Sequence, residues 1–156
     1  MSRQETSVML GYGGVVLAVV LGVAALMQLR NTEVNFCRKV FDGLIQGNLA
    51  IESRIDWDEL KAMGVDIGST YRGYEKELDR AQYRQAFIGS FGRGFRGEGG
   101  KLSTYRNWRI AERNDETVTV AVDDDLHGKT LLLTVSAVGP RQLLAIQMQE
   151  QVQGHG

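Results

Sequence analysis

The apolar positions of this chain change period twice. Thr6 to Leu29 carry no charge and are almost all apolar from Val8 onward, with Arg3 and Glu5 before them and Arg30 after. As a helix, residues 8–29 would be roughly 33 Å long, enough to cross a bilayer core. That predicts a short tail over 1–7 and a transmembrane helix over 8–29. Past it, Val34, Cys37, Phe41, Leu44, Leu49 and Ile55 recur at helical spacing and predict an amphipathic helix from Thr32 to Ser53. Asp56-Trp57-Asp58-Glu59 has the form of a capping box and predicts a short helix through Met63, stopped by Gly64. Val65 to Gly73 reads as a connector. Leu78, Ala81, Ile88, Phe91 and Phe95 stripe a third helix over Tyr74 to Phe95, with Gly92, Gly94, Gly97, Gly99 and Gly100 ending it.

From Lys101 the period becomes two. Leu102, Thr104, Trp108 and Ile110 alternate with polar neighbours, and so do Val118, Val120 and Val122. Asn114-Asp115 between them predicts a hairpin turn. Leu131, Leu133 and Val135 form a third strand, and Leu144, Ile146 and Met148 a fourth after Gly139-Pro140. The expected architecture is α+β: an N-terminal transmembrane helix, then helices packed on a four-stranded antiparallel meander. The soluble domain covers 30–149, and 150–156 is a polar tail.

This order of elements resembles the nuclear transport factor 2-like superfamily, a cone-shaped α+β fold. The stretch Asp79-Arg-Ala-Gln-Tyr-Arg-Gln-Ala-Phe-Ile-Gly-Ser-Phe-Gly-Arg-Gly-Phe95 is similar to its third helix, and Tyr105-Arg-Asn-Trp-Arg-Ile110 to a strand of its meander. The resemblance covers 34–149 and rests on element order. It implies two kinds of membrane-anchored protein. One is the inner-membrane scaffold subunit of type IV secretion machines. The other is the periplasmic phospholipid-shuttle protein, which holds a lipid in its cone. No functional residue of either carries over position by position.

Within the apolar run, Gly11, Gly14, Ala18, Gly22 and Ala25 fall on one helix face, where the backbone of a partner helix can approach. Small residues are also simply common in membrane helices. Val23-Ala24-Ala25 would pass as a signal-peptide cleavage site, but the run continues through Leu26, Met27 and Leu29, longer than a signal core. Arg3 favours an internal N-terminus, while Arg30, Arg38 and Lys39 pull the other way. Analogy with the resembled subgroups places the domain outside the cytoplasm, on the periplasmic side of a cell membrane.

Composition narrows the chemistry. In 156 residues the net charge is −1, which argues against a basic nucleic-acid binder. Cys37 is the one cysteine, so neither an internal disulfide nor a thiolate zinc site can form. Its place on the apolar stripe reads as a buried hydrophobe. Gly92-Arg-Gly-Phe-Arg-Gly97 satisfies G-x-G-x-x-G, but a helix precedes it where a dinucleotide site needs a strand. Asp123-Asp124-Asp125 followed by His127 lacks the ligand spacing of a calcium loop and reads as a solvated turn. Asp42 and Glu52 read as a solvated helix face, and Asp56 and Asp58 as caps. Alternation puts Arg106 on the core face with Trp108 and Ile110, where it would grip a carboxylate or an anionic head group, or else snorkel to water. Trp57 and Trp108 read as core or cavity lining. Arg106, Trp108 and Trp57 are therefore the candidate cavity or partner contacts. No catalytic set, metal site or cofactor is expected. The expected function is that of a non-enzymatic, single-pass accessory subunit that joins other membrane protein subunits through its anchor and soluble domain. The alternative is a binder of a lipid or other apolar ligand in the cone.

Overall fold

The computed structural model describes the backbone of residues 3–151, with side chains for 14–25 and 32–151. The chain divides into two compact units, Met1–Thr32 and Glu33–Gly156. Helix α1 is assigned to Arg3–Gln46. In the first unit, the side chains of 14–25 are all exposed.

The expected transmembrane helix is corrected. Among the described residues no helix is long and apolar enough to cross a membrane. The described apolar side chains, 14–25, span roughly 18 Å of helix against a hydrocarbon core of about 30 Å. The single-pass membrane location falls with that correction. The side chains of Gly11, of the rest of 8–13 and of 26–29 lie outside the described residues.

In the second unit, Cys37, Val40, Phe41, Leu44 and Ile45 of α1 are buried at helical spacing. Gly47, at φ +67°, ends the helix. The Asn48 side chain then accepts from the amide of Ala50 and caps a 3-10 turn over Leu49–Arg54. The expected helix to Ser53 is thus broken at Gly47. Asp56 does accept from the amide of Glu59, at 3.3 Å, but a turn follows where the capping box predicted a helix. Next come strands β1 (Lys61–Ala62) and β2 (Val65–Asp66), then helix α2 (Ile67–Arg72), capped by Asp66. Helix α3 (Glu77–Gly97) carries Glu77 and Asp79 in its first turn, where the helix dipole favours acids. It runs through Gly92 and Gly94, which sequence read as its end.

Strands β3 (Tyr105–Arg113), β4 (Thr117–Asp124), β5 (Lys129–Ser136) and β6 (Leu143–Glu150) form the predicted meander. The sheet nevertheless has six strands in the order β2-β1-β6-β5-β4-β3, and β1 runs parallel to β6. It is mixed, not a four-stranded antiparallel sheet. Two-residue strands carry no readable periodicity, so β1 and β2 left no pattern to find.

Register fixes what each face presents. Val118, Val135 and Leu143 share one row, Val120, Leu133 and Ile146 the next, and Val122, Leu131 and Met148 a third. All but Met148 are buried. Cys37, Phe41 and Leu44 of α1 and Ile88 of α3 complete the same core. Its aromatic members meet edge to face: Phe41 lies 4.7 Å from Tyr105 and 5.4 Å from Phe95, between ring centroids. On the opposite face of β4–β6, Thr119, Leu132, Thr134 and Ala145 are half-buried, Ala121 is buried and Gln147 is exposed.

Candidate functional site

The inner face of the sheet is apolar for three rows and polar in the fourth. There Tyr105, Asp124, Lys129 and Glu150 stand side by side across β3, β4, β5 and β6. The β4–β5 turn and the C-terminal end of α3 meet this row. Phe95, Glu98, Tyr105, Asp124, His127, Lys129 and Met148 enclose a cavity of about 330 Å³.

Asp124 is 1% exposed, so its carboxylate needs partners to be tolerated. Oδ1 accepts from the amides of Leu126 at 3.0 Å and His127 at 3.3 Å, which shapes the turn. Oδ2 lies 2.7 Å from Nδ1 of His127. Lys129 pairs with Glu150 at 3.5 Å. Tyr105 is 4% exposed, and its hydroxyl has no hydrogen-bond partner among the described residues. Burial raises the pKa of this phenol above its usual range, and the charges of Asp124 and Glu98 raise it further.

The three consecutive aspartates predict a solvated turn through His127, but Asp124 is buried and His127 is tethered to it. The signal was in the alternation: Val118, Val120 and Val122 are followed two residues later by Asp124. Asp123 points to the other face. Its carboxylate accepts from Asn107 at 3.0 Å, Arg109 at 3.1 Å and Thr130 at 3.0 Å. Burial alone would raise its pKa, but these three hydrogen bonds outweigh that and hold it below the usual value.

The three candidate contacts from the sequence do not come together. Arg106 is exposed and pairs with Asp125 at 3.1 Å. Its expected place on the core face is corrected, because Asn107 at φ +57° bulges the strand between Arg106 and Arg109. The extra residue reverses the alternation and turns Arg106 outward. Trp108 stays inward, half-buried, with its ring 6.1 Å from Phe41. Trp57 is buried at the other end of the domain. Its indole donates to the Glu52 carbonyl at 2.9 Å, and its ring meets Phe87 at 5.6 Å. Trp57 also borders an open groove of about 590 Å³ with Leu49, Glu52, Ile55, Arg84 and Gln142. Arg84 there is spoken for by Glu52, Glu77 and Tyr71, so it is a clamp between α3 and the preceding segments.

Gly14 and Gly22 have open space where a Cβ would stand, and Ala18 and Ala25 are exposed. Gly11 lies outside the residues whose side chains are described. Cys37 is fully buried, as its place on the stripe predicts, and burial pushes its thiol up to about 12. Among the described residues, no group of three or more His, Cys, Asp or Glu side chains could hold a metal ion.

The chain matches no family model, no curated protein and no solved structure.

Proposed function

We propose that the Glu33–Gly156 unit is a non-catalytic assembly module that pairs with a second copy of this chain through the open face of β4–β6. One observation carries the reading. In a chain with 24% charged residues, that face is almost free of charge. Its rows are Thr119, Thr134 and Ala145, then Ala121, Leu132 and Gln147, then Asp123, Thr130 and Gln149. On these three strands the single charge is Asp123, which pairs at 3.1 Å with Arg109 of the neighbouring β3. Threonine, alanine and leucine on a flat sheet cost little to desolvate, and depletion of charge marks the centre of protein interfaces. The Asp124–His127 pair has no serine, threonine or cysteine among the residues around its cavity, which favours a non-catalytic role for the domain.

The area suits a modest dimer. Three strands about 4.8 Å apart and eight residues long at about 3.3 Å each give a face of roughly 380 Å². That is below the roughly 800 Å² per partner of a standard interface and fits a reversible, concentration-dependent dimer. Sedimentation of the full chain over a concentration series tests this. The protein should move from monomer to dimer, and Leu132→Arg should hold it monomeric with an unchanged circular dichroism spectrum. A wild type that stays monomeric at every concentration, or a Leu132→Arg variant that associates equally well, overturns the proposal.

A further inference from the structure

The outer side of β3 carries the charges that the β4–β6 face lacks, and they are sorted along the strand. By register Arg106 stands beside Asp123, Arg109 beside Ala121 and Glu112 beside Thr119, all on the open side of the sheet. The two arginines occupy one end. Each has a carboxylate partner, Asp125 or Asp123, yet each is the more exposed member of its pair, at 74% against 51% and 42% against 20%. Glu112 lies toward the other end, followed by Asp115 and Glu116 in the β3–β4 turn. All three are exposed, and none has an ion pair among the described residues. The strip therefore presents guanidinium groups at one end and unpaired carboxylates at the other.

We propose that two copies of this chain pair with their strands antiparallel, about a two-fold axis that crosses the strands, and that Arg109 and Glu112 fix this orientation. It rests on the face-to-face dimer proposed above and says how that dimer is set. Two identical sheet faces can meet about an axis across the strands or along them. Across them, β3 of one copy lies over β3 of the other in the reverse direction. With the axis midway between the Thr119 and Ala121 rows, Arg109 faces Glu112 of the second copy. Arg106 then faces the turn that holds Asp115 and Glu116, and symmetry repeats both contacts. Packed sheets lie about 10 Å apart, a gap that an arginine and a glutamate span together. An axis along the central strand β5 would instead lay β3 over β1, since the order is β1-β6-β5-β4-β3. Glu112 would then meet Lys61, and β1 offers the arginines no acidic residue. The crosswise axis matches more opposite charges, and charges at the rim select orientation and register.

Sedimentation of the full chain at low salt tests the orientation. Glu112 is exposed and has no partner to lose, so Glu112→Arg should fold as the wild type does. It should dimerise about tenfold more weakly, because it sets like charges against each other. Added salt should weaken the wild-type dimer and strengthen that of Glu112→Arg. Exchanging the pair, Arg109→Glu together with Glu112→Arg, should bring the dimer constant back to within about threefold of wild type. Lys61→Glu should change nothing. A Glu112→Arg variant that dimerises as tightly as wild type overturns the orientation. So does a weakened Lys61→Glu dimer, or an exchanged pair that keeps the wild-type circular dichroism spectrum and stays weak. A wild type that never dimerises removes the underlying pairing instead, which separates the two failures.

Discussion

A single methyl group placed at Gly92 or at Gly94 should move stability in opposite directions. Both glycines lie in α3 two residues apart, and replacing glycine by alanine within a helix normally gains up to about 1 kcal/mol. At Gly94 the new Cβ meets nothing within 4 Å, so that gain should appear undiminished. At Gly92 it would stand 2.5 Å from the Leu44 carbonyl oxygen and 3.0 Å from the Gly47 amide nitrogen. Both are backbone atoms at the end of α1, and the Leu44 carbonyl already accepts from Gly47 at 3.1 Å. Relief requires the two helices to separate, which strips contacts from Leu44, Ile45 and Ile88. Overpacking against backbone belongs at the upper end of the usual 1–3 kcal/mol, so the net cost should be about 2 kcal/mol. Urea unfolding followed by tryptophan fluorescence reads both, since Trp57 and Trp108 pack in the core cluster or against it. The midpoints should differ by the equivalent of about 3 kcal/mol. If Gly92→Ala stabilises as Gly94→Ala does, the close crossing of α1 and α3 is refuted.

Two further outcomes follow from the titratable groups. Asp123 has a folded pKa below its ordinary value, so its stabilisation is present above the ordinary carboxyl range and lost as pH falls through the folded pKa. Asp123→Asn should therefore be less stable than wild type at neutral pH, with the gap closing below about pH 4 in a urea series. A gap that stays constant with pH would contradict the three hydrogen bonds to the carboxylate. The Cys37 thiol, pushed up to about 12 by burial, should stay protonated and resist thiol reagents near pH 8. Its labelling rate should follow global unfolding, and rapid labelling of the folded protein would contradict the packing of α1.

How much of this was legible depended on how long each pattern ran. Val118 to Val122 and Leu131 to Val135 hold strict alternation, and their register is observed as the period implies. On β6 the buried residues are Leu143 and Ile146, not a run of alternating positions, because a register shift at Thr134–Val135 inserts a residue. Asn107 does the same on β3 and misplaces Arg106. Neither irregularity is marked by a glycine or proline, so no turn chemistry announces it. β1 and β2 are too short for any period, and with them went the sixfold sheet and its one parallel pairing. The polar cavity was half legible. Asp124 continues the buried alternation of β4, yet three consecutive aspartates suggest water. Only the folded turn shows that the first, second and third face a cross-strand cluster, an imidazole and Arg106 respectively.

Pairing of two β4–β6 faces would bring residue 134 of one copy near its counterpart in the other. Cys37 is the one native cysteine and is fully buried, so an added surface thiol can be followed alone. Thr134→Cys in the middle of the face, mildly oxidised at micromolar concentration, should give a disulfide-linked dimer. Asp115→Cys in the distant β3–β4 turn should not. Equal cross-linking at the two positions, or none at Thr134→Cys, would contradict the pairing.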